Sequence, residues 1–195
     1  LSWLDAGQRF PPAPEKERIE RYREHEQLFL SKHPEAWAQD FTNLAQRIRI
    51  KNFDVETVFN YHQLLSKKIA DFVCGQPPRI ETEGDTDALD RVLDRENFSP
   101  KLYEALIDVT RYGNGVTKNT GKGFSIVNPM YWFPIVAADD LKKITKHVIS
   151  YPVLPNEKQE FTQLYVEIHE PGVIRQRYYS FEQLDKKDSF FMGKV

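Results

Sequence analysis

Apolar residues recur at helical spacing through the first half of the chain and at strand spacing through the second. Over 15–30, Ile19, Tyr22, Leu28, Phe29 and Leu30 form a thin apolar side among alternating acids and bases such as Glu20, Arg21, Arg23 and Glu24, which predicts a solvated helix. A second helix is predicted over 34–45, where Trp37, Phe41 and Leu44 share a face, followed by a short strand over 47–51. Asp54 is the expected N-cap of a third helix, with Glu56 in its first turn and Val58, Tyr61, Leu65, Ile69 and Phe72 along one side. Gly75 and Gln76-Pro77-Pro78 stop it. After a polar loop over 81–86, Leu89, Val92 and Leu93 mark a short helix. Ser99-Pro100 then reads as a helix start, Leu102, Leu106 and Val109 as one face, and Gly113-Asn114-Gly115 as the end.

Beyond Gly115 the period shortens. Residues 115–118 and 124–128 flank the turn-rich Asn119-Thr120-Gly121-Lys122-Gly123, the pattern of a β-hairpin. Strands are predicted over 131–136 and 143–153. Leu164, Val166 and Ile168 alternate with Gln163, Tyr165 and Glu167, as in a half-buried strand, and Pro171-Gly172 provides a type II turn into a partner strand over 173–181. The fold class expected is α+β, N-terminal helices followed by a mainly antiparallel sheet. Residues 1–14, with Pro11, Pro12 and Pro14, read as an extended lead-in, and 15–195 as a single domain, helical over 15–113 and β-rich over 114–181.

Composition narrows the function classes. The chain has 195 residues, 40% hydrophobic and 29% charged, the mixture of a globular protein. No run of 18 apolar residues occurs, and no basic stretch followed by an apolar one opens the chain, so neither a membrane span nor a signal peptide is expected. The chain starts at Leu1 instead of Met, which fits a fragment or a processed form. Twenty-seven Lys and Arg against 29 Asp and Glu leave a net charge of −2, without the basic excess of a nucleic-acid-gripping domain. The basic groups Arg47/Arg49/Lys51, Lys67/Lys68 and Lys142/Lys143/Lys146 have acidic neighbours and no interleaved stacking aromatics.

No motif assigns a catalytic, cofactor-binding or metal-binding residue. Gly113-Asn-Gly115 begins like a dinucleotide fingerprint, but Lys118 stands at the third glycine position and no helix follows. Five residues, instead of four, separate Gly115 from Gly121, and Lys122 is followed by Gly123, so the P-loop pattern fails too. His25, His33, His62, His147 and His169 lack metal-ligand spacing, and His62 reads as a satisfied structural histidine. The lone Cys74 sits near a helix C-terminus, where the dipole disfavours a thiolate. Asp139-Asp140 reads as a turn before Lys142-Lys143, in preference to a catalytic carboxylate pair.

Five segments in order carry a family resemblance. His25-Glu-Gln-Leu-Phe-Leu-Ser-Lys-His33 is similar to the opening motif of tailed-phage portal proteins, with Ser31 where the family has glycine. The stretch from Asn60 through Lys67, Asp71, Gly75, Pro77 and Pro78 to Ile80 resembles the family's next helix. Gly113-Asn114-Gly115-Val116-Thr117-Lys118, the segment from Pro129 to Pro134-Ile135-Val136, and Tyr165-Val-Glu167-Ile-His169-Glu-Pro-Gly172-Val-Ile resemble three further pieces. The resemblance is to portal proteins of siphophages of Gram-positive hosts and implies the outer wing region. The tunnel-lining stem and the clip would follow Val195.

It implies a non-enzymatic, cofactor-free ring subunit of a phage or prophage portal vertex, assembled in the bacterial host cytoplasm and carried in the virion. DNA is packaged and ejected through such a ring, on which terminase and tail connector dock. The implied partners are further copies of the chain in a full-length ring, capsid protein, terminase and tail connector. Double-stranded DNA would pass through the ring without being bound by this region, and no membrane is involved. Trp3 and Phe10 are then expected to contact neighbouring subunits, whereas Trp132 and Phe133 read better as core. The alternative is a nucleotide- or nucleic-acid-processing enzyme of the phage head region, with its ligand or metal at the Gly113–Gly123 hairpin.

Overall fold

The computed structural model describes residues 3–4, 7–32, 59–76, 80, 84, 86–121, 123–154, 162–183 and 193–194. The helix expected over 34–45, the strand over 47–51 and the Asp54 cap lie outside them. Among the described residues four α-helices precede the main antiparallel sheet, and the fold is α+β. The helices are α1 (Lys16–Phe29), α2 (Tyr61–Cys74), α3 (Thr86–Arg95) and α4 (Phe98–Tyr112). The strands are β1 (Arg9–Phe10), β2 (Val116–Asn119), β3 (Phe124–Val127), β4 (Trp132–Val136), β5 (Ile144–Val153), β6 (Gln163–Glu170), β7 (Val173–Ser180), β8 (Glu182–Gln183) and β9 (Gly193–Lys194). The chain divides into two compact units, one from Leu1–Glu20 with Asn128–Val195, the other Arg21–Val127.

The first unit is built on the antiparallel meander β4-β5-β6-β7, with a small β1-β9-β8 sheet. Alternation sends Phe133, Val148, Leu164 and Val166 to one face of the meander, where they are buried. Phe10 is buried against this core, its ring 5.6 Å from Phe133 and 5.9 Å from Phe181, and Trp3 lies 5.0 Å from Phe133. Arg18, in the first turns of α1, donates to the carbonyls of Trp132 (2.7 Å) and Pro129 (3.3 Å), satisfying backbone groups beside the sheet. Pro171 and Gly172 turn β6 into β7 with Gly172 at φ 76°, as the sequence requires. The expected half-burial of β6 is corrected. Leu164, Tyr165, Val166 and Glu167 are all buried, because β6 is an inner strand with neighbours on both sides.

The second unit packs α2 and α3 against α4, with the β2–β3 hairpin beside α4. Asn60, not Asp54, is the cap residue before α2, since the helix begins at Tyr61. Its Oδ1 accepts from the Gln63 amide at 2.8 Å, while its Nδ2 donates to the Leu28 and Phe29 carbonyls at 2.9 Å each. One side chain therefore satisfies orphan groups at the end of α1 and the start of α2. Helix α4 begins at Phe98, before the predicted Ser99-Pro100 start. Asn97 in the left-handed region joins it tightly to α3, and Pro100 falls in the first turn, where its missing N–H costs nothing. Its buried positions are Asp108 and Tyr112, whereas Val109, expected inward, is 42% exposed. Gly113 ends it at φ 78°, its amide donating to the Val109 carbonyl.

Candidate interaction surface

The predicted apolar stripe of α2 exists, but it faces outward. At 100° per residue, Tyr61, Leu65, Ile69 and Phe72 fall within an arc of about 80°. Phe72 is 90% exposed, Tyr61 65%, Leu65 60% and Ile69 50%, with Leu64 and Val73 half-exposed at the flanks. The inward side is held by Ser66 and Ala70, at 4% and 0% exposure. This small pair, one turn apart, lets α2 approach α4 closely, and the Tyr103 hydroxyl of α4 donates to Asp71 Oδ1 at 3.0 Å. The sequence contains that signal in Ser66-x-x-x-Ala70. The apolar stripe outweighs it in any reading that assigns the larger residues to the core.

Large apolar side chains exposed together along one helix face form a contiguous apolar patch, the kind of surface that marks an interaction site.

The hairpin proposed for nucleotide chemistry has other uses for its glycines. Gly113 and Gly121 lie at positive φ, in a helix cap and a turn. A Cβ on Gly115 would come within 2.7 Å of Val109 and 3.3 Å of the Ala105 carbonyl, so this glycine lets the strand start close to α4. Lys101 is engaged by the Phe124 carbonyl at 2.6 Å and lies 4.7 Å from the centre of the Phe124 ring. The Asp139-Asp140 pair forms the predicted turn, with Asp140 Oδ1 accepting from the Lys142 amide at 2.9 Å.

Two polar clusters escaped the sequence reading. On β6, fully buried Glu167 accepts from the Tyr165 hydroxyl and, at 3.0 Å, from Gln176 Nε2, and its other oxygen meets His169 Nε2. Residues 165, 167 and 169 share a face by strand alternation, and Gln176 is the register partner of Glu167 on β7. Burial and the bond to Glu167 push the Tyr165 phenol above its ordinary range.

In the second unit, the His25 and His62 rings lie 6.0 Å apart, and both Nδ1 atoms are buried without a hydrogen-bond partner. The expectation of a satisfied His62 is thereby corrected: its ring loses water on packing and gains no acceptor or donor at Nδ1. Burial, with His25 and Arg111 nearby, holds its imidazolium below the ordinary value. Arg111 donates to Asp108 at 2.9 Å and covers the Tyr112 ring at 4.3 Å. Burial nevertheless pushes the Asp108 carboxyl up to about 6. No group of three or more His, Cys, Asp or Glu among the described residues is arranged to hold a metal ion.

Of the aromatics expected at subunit contacts, Phe10 lies in its own unit's core, because the lead-in folds back as β1 against β9. Trp3 is half-buried over the same core. Phe133 is core as expected, and half-buried Trp132 stacks on His147, its Nε1 donating to Nδ1 at 3.2 Å. No family model matches the chain, and no curated protein matches it.

Proposed function

We propose that this chain is the wing region of a portal subunit of a phage or prophage, a structural component that acts through its contacts. The observation that carries the reading is the outward apolar face of α2, on a helix whose sequence also carries the longest of the five portal-like segments. The α+β order, helices first and antiparallel meander second, agrees with that resemblance. In this role the full-length protein forms a ring of identical subunits, joined by heterologous contacts that close on themselves. Mixed-charge surfaces and apolar contact patches suit such a wall better than a basic groove would. Electron microscopy of the full-length product tests the reading. Closed rings are the expected result, and turnover of a nucleotide or nucleic acid by particles that never form rings would overturn it.

A further inference from the structure

The two outer edges of the meander are built differently. Along β4, Pro134 has no amide to offer, the register shifts between Ile135 and Val136, and Arg18 donates to the Trp132 carbonyl. Strand β7 runs from Val173 to Ser180 without proline, glycine or bulge, and among the described residues it pairs on one side only. The Phe181 amide donates to the Thr162 carbonyl, which fixes the direction of the ladder. Odd-numbered residues of β7 bond to β6, and even-numbered ones turn their backbone groups outward. Ile174, Gln176, Tyr178 and Ser180 thus present a row of amides and carbonyls with no backbone partner among the described residues. Such a row is completed by an extended segment of another chain.

The side chains of β7 specify what that segment must carry. Strand alternation puts Arg175 and Arg177 on one face, about 7 Å apart, and exposed Ile174 and Tyr178 on the other. On the basic face, Glu170 accepts from Arg175 and pairs with Lys146 at 2.6 Å, so one carboxylate already serves two cations. Arg177, the next arginine along, is exposed and has no ion-pair partner among the described residues. Both arginines also line a recess of about 250 Å³ with Trp3, Val166, Ile168 and Tyr179, open to a side chain from an added strand. We propose that β7 is a docking edge for an extended peptide segment that alternates acidic and apolar residues. Its acids lie opposite Arg175 and Arg177, its apolar residues beside Ile174 and Tyr178, and both kinds of cross-strand pair add to the backbone ladder. A second β7 is a poor occupant. Its two longest antiparallel registers, centred on Gln176 or Arg177, set Arg175 opposite Arg177 or Arg177 opposite itself. The site depends neither on the α2 face nor on the portal reading.

The test is fluorescence anisotropy of a short labelled peptide of alternating glutamate and valine, titrated with the 195-residue chain. Saturable binding is expected, ~10-fold or more tighter than for a lysine–valine counterpart or for the same residues arranged in two blocks. Only one edge of the peptide is used. Methylating one set of its amide nitrogens should therefore abolish binding and methylating the other should spare it, the valine set being the sensitive one for an antiparallel strand. Arg177→Glu and Ile174→Pro should each weaken binding ~10-fold or more with unchanged circular dichroism, since Arg177 is exposed and the Ile174 amide points away from β6. The Arg177→Glu chain should also gain affinity for the lysine–valine peptide. No binding up to about 1 mM, equal binding of the lysine–valine or block peptide, binding that survives both methylations, or indifference to both variants would each overturn the proposal.

Discussion

Asp108 and His62 sit in one packed unit and titrate in opposite senses. The folded Asp108 carboxyl, at about 6, holds a proton that the unfolded one releases near 3.8. Its contribution to stability is therefore full below the unfolded value and lost as pH rises through about 6. The folded His62 lies below its unfolded 6.5, so its contribution is present above 6.5 and lost as pH falls through the folded value. Over the same acid window the two offset each other. Asp108→Asn should leave the His62 term exposed, so that stability falls on acidification from about pH 7 to about pH 4.5. His62→Gln should leave the Asp108 term, so that stability rises over that span. The Asp108→Asn difference from the parent is on the order of 1 kcal/mol after solvent screening, and the His62→Gln difference has the opposite sign, both read from urea midpoints at the two pH values. Glu167 tests a different residue-scale point. Glu167→Ala strands the Tyr165 hydroxyl, His169 and Gln176 inside the sheet, and should cost about 3 kcal/mol, whereas Glu167→Gln keeps one acceptor and should cost about half that. Neither cluster is legible in the chain as written, because a carboxylate alternating with apolar residues reads as the wet side of a strand. Burial of Glu167 follows from having β5 and β7 on either side of β6 and from the partners those strands carry.

At the scale of the element, α2 separates helix formation from helix burial. Its spacing and its Gly75-Gln76 stop were sufficient to place its C-terminal end, whereas its start lies at Tyr61 with Asn60 as cap, six residues beyond the expected Asp54. The side that packs is set by two small residues. Ala70→Leu should force α2 away from α4 and destabilise this unit by about 2 kcal/mol, since overpacking a filled contact costs that much. Phe72→Ser, at the most exposed large residue of the helix, should change the stability of the single copy by no more than about 0.5 kcal/mol. The contrast is measurable by denaturant unfolding at low protein concentration. A core reading of the stripe demands the reverse order. Turns were more legible than faces, because a left-handed backbone is a local demand. Gly172→Ala, at φ 76° between β6 and β7, should cost about 1 kcal/mol by thermal melting.

On the scale of the whole molecule, the α+β order was readable because helical and strand periods occupy successive halves of the sequence. The meander followed as well, since short turns such as Pro171-Gly172 oblige consecutive strands to pair antiparallel. If the molecule works by contact, ATP with magnesium should leave its melting temperature within about 1 °C of the parent value, and a larger rise would revive the enzyme alternative at the hairpin. The sequence by itself determined where helices, strands and turns lie, because φ/ψ preferences, caps and periodicity act over a few neighbouring residues. Only the tertiary structure decided that Phe10 is core, that Glu167 is buried and that the apolar side of α2 faces out. Each of those outcomes depends on which distant element reaches a side chain first, and packing against α4 rewarded a close approach of small residues over the burial of large ones.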